Sequence, residues 1–132
     1  MIHTIDIKIR GYHLDLFGHV NNARYLEFLE EARWAAFEKT VNLEDLARKG
    51  YAFTVVNINI SYRRPALMND VIRVETRIAK WGTRSAVIRQ EVKNKATGEL
   101  VADADVTFVI FDTRRQQTAL LEGELKETLE AV

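Results

Sequence analysis

The chain has 132 residues, with Lys+Arg and Asp+Glu both at 19, so its formal net charge is zero. That length gives room for one domain, 1–132, and none for a second, and the neutral balance argues against nucleic acid as the main partner, since a phosphate-binding surface shows as a basic excess. The absence of cysteine excludes disulfides, thiolate metal sites and a cysteine nucleophile and suits a reducing cytoplasm, while apolar runs far shorter than the roughly 20 residues of a membrane span, with no leader ahead of Ile5, argue against stable membrane insertion.

Taken in order, Ile2 to Arg10 alternates, with Ile5, Ile7 and Ile9 on one face and Asp6, Lys8 and Arg10 on the other, which predicts a half-buried strand. Tyr12-His13-Leu14-Asp15 then leads into the turn signal Phe17-Gly18. Asn21 or Asn22 offers an N-cap, because an Asn side chain accepts a free N–H of the first helical turn. A helix is expected from Ala23 to near Lys39-Thr40, with Tyr25, Leu26, Leu29, Ala32, Arg33 and Ala36 on one side. Phe28 breaks the polarity of the other side, so protein should wrap this helix broadly. Leu43 to Lys49 reads as a short helix closed by Gly50.

Tyr51 to Tyr62 reads as a long strand, with Val56, Ile58, Ile60 and Tyr62 opposite Asn57, Asn59 and Ser61. Arg63-Arg64-Pro65 ends it, since proline has no N–H for a ladder. Val71 to Ala79 follows with Ile72, Val74, Thr76 and Ile78 inward, then a turn at Lys80-Trp81-Gly82-Thr83. Arg84 to Lys93 pairs back with Ala86, Ile88 and Val92 inward, and Asn94 to Gly98 is a turn rich in breakers. Leu100 to Phe111 is the longest apolar strand, with Ala102 and Ala104 marking close approach of another element. Residues 118 to 121 add a short strand and Glu124 to Ala131 a terminal helical turn or two. Strands that run on after a helix argue α+β, an antiparallel sheet wrapped around one long helix. The strands at Val55 to Tyr62 and Leu100 to Phe111 are expected to leave edges that need covering.

The chemistry gathers where loop becomes helix. A carboxylate (Asp15), an imidazole (His19) and two carboxamides (Asn21, Asn22) converge on a helix N-terminus, whose unpaired N–H groups and partial positive charge suit developing negative charge on a substrate oxygen. Beside apolar Leu14, Leu16 and Phe17, Asp15 would be partly desolvated and so a stronger base; the plain alternative is that it only closes an Asx-turn. His19 orients Asp15, donates to the substrate or packs. Tyr25 is a pocket, dimer-contact or core residue, and Glu30, Glu31 and Arg33 suit an internal ion pair as well as a part in the chemistry. A metal site from His3, His13 and His19 has no ligand spacing to support it, no G-x-S-x-G elbow is present, and no cofactor is called for.

The run D-L-F-G-H-V-N-N-A-R-Y-L-E-F-L-E-E-A-R (Asp15 to Arg33) resembles the signature of the 4-hydroxybenzoyl-CoA thioesterase family of hotdog-fold enzymes, and most of all its bacterial long-chain, thioesterase III type. The likeness continues through V-V-N-I-N-I-S-Y-R-R-P-A (Val55 to Ala66), V-A-D-A-D-V-T-F-V (Val101 to Val109) and L-E-G-E-L (Leu121 to Leu125), covering essentially the whole chain. It implies a hotdog fold, an acyl-CoA substrate, hydrolysis of medium- to long-chain thioesters, and a homodimer or homotetramer. It places the catalytic carboxylate at Asp15, with His19 and a first-turn N–H near Asn22 as catalytic partners and Gly18, Asn21 and Tyr25 at the substrate. Arg64, Lys80 and Arg84, with Arg63, are the basic side chains at strand ends that suit the coenzyme's phosphates, although charged strand ends are also ordinary surface. Many members carry a second Asp where this chain has His13, so His13 stays outside the catalytic set. Two rivals share the fold: a dehydratase, whose His-Phe-Pro is here His19-Val20-Asn21, and a noncatalytic acyl-CoA binder, which has no need of Asp15.

Overall fold

The computed structural model describes residues 1–132. In chain order the elements are β1 (His3–Lys8), a single 3-10 turn (Gly11–His13), α1 (Asn22–Glu38), α2 (Leu43–Arg48), β2 (Tyr51–Tyr62), β3 (Val71–Trp81), β4 (Ser85–Asn94), β5 (Leu100–Asp112), β6 (Gln117–Thr118) and α3 (Gly123–Glu130). All strand pairs are antiparallel, in the order β1-β3-β4-β5-β2, with β6 added to β5. This is the hotdog arrangement, a curled sheet around α1.

The helix meets the sheet across its whole width. Phe37 of α1 packs edge-on to Phe53 of β2 and to Phe108 of β5, and those two rings stack at 4.5 Å. On β4 the buried Gln90 donates from Nε2 to the Leu29 carbonyl and to Thr76 Oγ1 of β3. Ala102 and Ala104 are sealed in the core, where small side chains let a neighbouring layer approach.

Three expectations change. Leu26 is exposed and Phe28 buried, so the buried stripe is Tyr25, Phe28, Leu29, Ala32, Arg33, Ala36 and Phe37. The expected face was rotated by part of a turn, because Leu26 and Phe28 are both apolar and the pattern alone does not order them. In β2 the pairing shifts between Val55 and Asn57. A bulge adds one residue to that strand and reverses the alternation, so the inward set is Tyr51, Phe53 and Val55 before it and Ile58 and Ile60 after it, and Val56 is left exposed. Lastly, β5 lies between β4 and β2, so Leu100 to Phe111 is no edge. The open edges belong to β1 and β2.

Candidate active site

The residues from Leu14 to Asn21 fold back on themselves as a small hairpin before α1. Leu14 bridges Val20, the Asp15 N–H donates to the His19 carbonyl at 2.8 Å, and the Asn21 N–H donates to the His13 carbonyl at 2.9 Å. The tip turns at Gly18, whose φ of +76° favours glycine. A second strip holds the hairpin from outside: Val20 donates to the Ala66 carbonyl, and His19 bridges Leu67. The short segment after β2 therefore positions the loop, a role that nothing in its own composition announces.

Asp15 closes an Asx-turn. Its Oδ1 accepts the N–H of Phe17 at 2.9 Å and of His19 at 3.3 Å, while Oδ2 has no partner in the chain. Asp15 is half-buried, as is Leu14, but Leu16 and Phe17 contribute little to this, being 93% and 79% exposed. At a hairpin tip these side chains project outward. The imidazole of His19 is exposed and unbonded, its backbone alone taking part in the turn.

Asn21 is the cap: its Oδ1 accepts the Ala23 N–H at 2.9 Å. The N–H of Arg24 turns back to the Asn21 carbonyl. The N–H of Asn22, also at the positive end of the helix, has no acceptor in the chain. Tyr62, at the far end of β2, donates its hydroxyl to the Asn22 carbonyl at 3.1 Å and sets its ring 5.5 Å from that of Tyr25. Forty positions separate Tyr62 from Asn22, so only the fold brings them together. Tyr25 is a core residue: it is buried against Phe28 as well, and burial pushes its hydroxyl up to about 12. His13 is also structural. Its Nδ1 accepts the Arg10 N–H at 2.8 Å, its ring packs on Phe28, and burial, then Arg24, lowers its pKa.

The basic residues divide between the two ends of the sheet. Arg64 follows β2 at the Asn22 end and pairs with Glu99 at 3.1 Å, and Arg63 is bidentate to Asp103. Lys80 and Arg84 flank the β3–β4 turn. Register places that turn beside the start of β2, since Ser85 faces Val109 and Asp112 faces Tyr51. Within one chain the turn thus points away from the Asp15 end: Lys80 lies level with Asn57, and Ser85, next to Arg84, level with Thr54, about 16 and 23 Å along the sheet from Tyr62 at roughly 3.3 Å per strand residue. Arg84 there donates to Thr118. Both belong to strand ends, as expected, but an antiparallel hairpin sends its turn away from the end where it starts. The expected ion pair of Arg33 with Glu30 or Glu31 is also absent: Arg33 donates from Nη1 to Gln90 Oε1 instead.

Comparison with known proteins agrees with this architecture. Residues 9–129 match the thioesterase-like superfamily. The chain is 48% identical over 124 residues to the long-chain acyl-CoA thioesterase FadM of Escherichia coli K12, covering 94% of each protein. It is 28% identical over 108 residues to the acyl-CoA thioester hydrolase YbgC of Escherichia coli O6:H1, covering 81% of this chain and 80% of that one. The crystal structure of YbaW from Escherichia coli superposes with a TM-score of 0.91 at 46% identity, covering 97% of this chain and 96% of the other. Sheet order, wrapped helix and sequence together lead to one assignment: the chain belongs to the thioesterase-like superfamily and is a thioester hydrolase of the hotdog fold.

Proposed function

We propose that the protein hydrolyses acyl-CoA thioesters of medium to long acyl chain, releasing a fatty acid and coenzyme A, with Asp15 as the group that activates water or attacks directly. The substrate class rests on the likeness to FadM and YbgC. One observation carries the mechanism: a carboxylate with one oxygen anchored and one free sits in the hairpin that leads into α1, whose first N–H, that of Asn22, is unpaired. The anchored Oδ1 fixes the orientation of the group, and the free Oδ2 takes a proton from water or bonds to the carbonyl carbon. As the carbonyl oxygen gains charge, the Asn22 N–H and the helix dipole stabilise it, and the thiolate of coenzyme A departs. In this reading His19, exposed beside Asp15, donates to the same oxygen, and Gly18 keeps the approach open, with nothing within 4 Å of where a Cβ would sit.

The single domain works as a homodimer in this reading. The edge of β2 is long and unpaired, and two copies joined there antiparallel around a two-fold axis cover it. Such pairing sets the Tyr62 end of one copy against the Tyr51 end of the other. The partner's Lys80 and Arg84 ends of the sheet then approach the Asp15 loop, where the coenzyme's phosphates need cations.

The test is kcat of Asp15→Asn in a thiol-release assay over acyl-CoAs from acetyl to palmitoyl. Loss of about a hundredfold or more is expected, the usual scale of general-base assistance. Turnover within about threefold of wild type, well short of that factor, would remove Asp15 from the chemistry. No thiol release from any acyl-CoA by the wild type would favour a pure binder.

A further inference from the structure

A groove of about 460 Å³ lies between the second half of α1, α2 and the first half of β2, within the size range of small-ligand sites. Nine of its 11 lining residues are hydrophobic, Trp34, Phe37, Leu46, Phe53 and Val55 among them. The two exceptions are Glu30, which is exposed, and Arg33. The Arg33 side chain lines this groove although the residue is only 8% exposed.

A buried guanidinium is normally paired with a carboxylate, because desolvating the charge alone is costly. Arg33 has no carboxylate within ion-pair distance; Glu30, also at the groove, influences it only from farther away. Its one bond in the chain, Nη1 to Gln90 Oε1 at 3.1 Å, is to a neutral amide that is itself committed to Leu29 and Thr76. Nε and Nη2 have no partner. They are not sealed from solvent either, since the sole sealed side-chain polar atom left unbonded in the molecule is Nε2 of His3. An apolar trough with a buried cation in its wall that no carboxylate pairs directly has the chemistry of an amphiphile site: an anionic head for the free nitrogens of Arg33, with exposed Glu30 left to solvent, and a hydrocarbon tail for Trp34, Phe37 and Phe53.

We propose that this groove binds a free carboxylic acid on an apolar chain, with Arg33 as the counter-charge to its carboxylate. A planar guanidinium with two free nitrogens matches a carboxylate in geometry as well as charge. The ligand class is the acid product of the hydrolysis proposed above, but the site stands on the groove alone, and its test uses no turnover.

Trp34 reports occupancy directly. In a Trp81→Phe background it is the one remaining tryptophan, and its fluorescence is titrated with decanoate below the micelle concentration and, separately, with decanol. Decanoate is expected to bind at least tenfold more tightly than the alcohol. Arg33→Met, checked for folding by circular dichroism, should remove that preference. Ala47→Trp, read by calorimetry, fills the groove from α2 without touching Arg33 and should abolish decanoate binding. Equal binding of acid and alcohol would make the groove a plain apolar channel and overturn the proposal. So would no binding of either, the result expected if a second copy of the chain occupies the groove, or unaltered decanoate binding in Arg33→Met. The wild-type comparison and Ala47→Trp decide the matter even if Arg33→Met does not fold.

Discussion

Replacing one oxygen of Asp15 by an amide nitrogen separates its two jobs. The side-chain carbonyl of Asn can still accept from the Phe17 and His19 N–H groups, as Oδ1 does now, so the turn survives while the basicity goes. Asp15→Asn should therefore melt within about 4 °C of wild type, the equivalent of under roughly 1 kcal/mol for a domain of this size. A large fall in melting temperature, seen in a thermal scan beside the kcat measurement, would mean that the carboxylate mainly holds the loop. The sequence already showed this loop's parts, because Asx-turn, glycine turn and Asn cap are local devices spelled by adjacent residues. It did not show which atoms stay free. That depends on Ala66 and Leu67 arriving from after β2, and on Tyr62 claiming the Asn22 carbonyl.

Among the elements, strands were legible where they alternate and misread where they do not. The stretch Tyr51 to Tyr62 was bounded correctly, yet its inner face changes at Val56 because a bulge is set by pairing with β5 and not by local preference. Strand β3 runs on to Trp81, past the expected turn at Lys80, since its pairing with β4 continues through an irregularity after Ile78. Charge also acts at this scale. Asp6 of β1 faces Arg73 of β3 in register and is bidentate to it at 2.8 and 3.1 Å, with Lys95 a further 2.9 Å partner. The hydrogen bond from Arg73, then that from Lys95, lowers the Asp6 carboxyl to about 2, below its ordinary 3.8. A depressed carboxylate contributes stability that is present above its unfolded pKa and lost as pH falls through the folded one. Wild type should accordingly melt higher than Asp6→Asn by a constant margin above about pH 5, with the margin closing between about pH 4 and pH 2. The pair is partly exposed, so the margin is small and shrinks in salt. A margin unchanged down to pH 2 would mean that Asp6 is not tied as described.

At the scale of the molecule, the β2 edge decides how many copies work together. An outer edge twelve residues long, with Val56 and Tyr62 exposed along it, forms an interface in waiting. Light scattering at micromolar concentration should return at least twice the 15.2 kDa chain mass. A monomer would leave Lys80 and Arg84 pointing away from the Asp15 end of the sheet and would end the shared-site reading. The sequence pointed to β2 as an edge but equally to β5, which is internal, because sheet order, unlike strand position, is invisible in a single chain read from end to end.

The wrapped helix has a consequence for how the protein is born. During synthesis α1 and β2 emerge before nearly everything that buries them. Leu29 waits for Gln90, and Tyr51 waits for Asp112, each 61 residues later. Until β5 has left the ribosome, the first half of the chain has no core to join, and closing such distant contacts costs entropy before any reward. Refolding is accordingly expected in milliseconds to seconds and not in microseconds, which stopped-flow fluorescence would register. Nascent chains halted before residue 100 should remain sensitive to protease along α1, whose apolar stripe a chaperone would find uncovered.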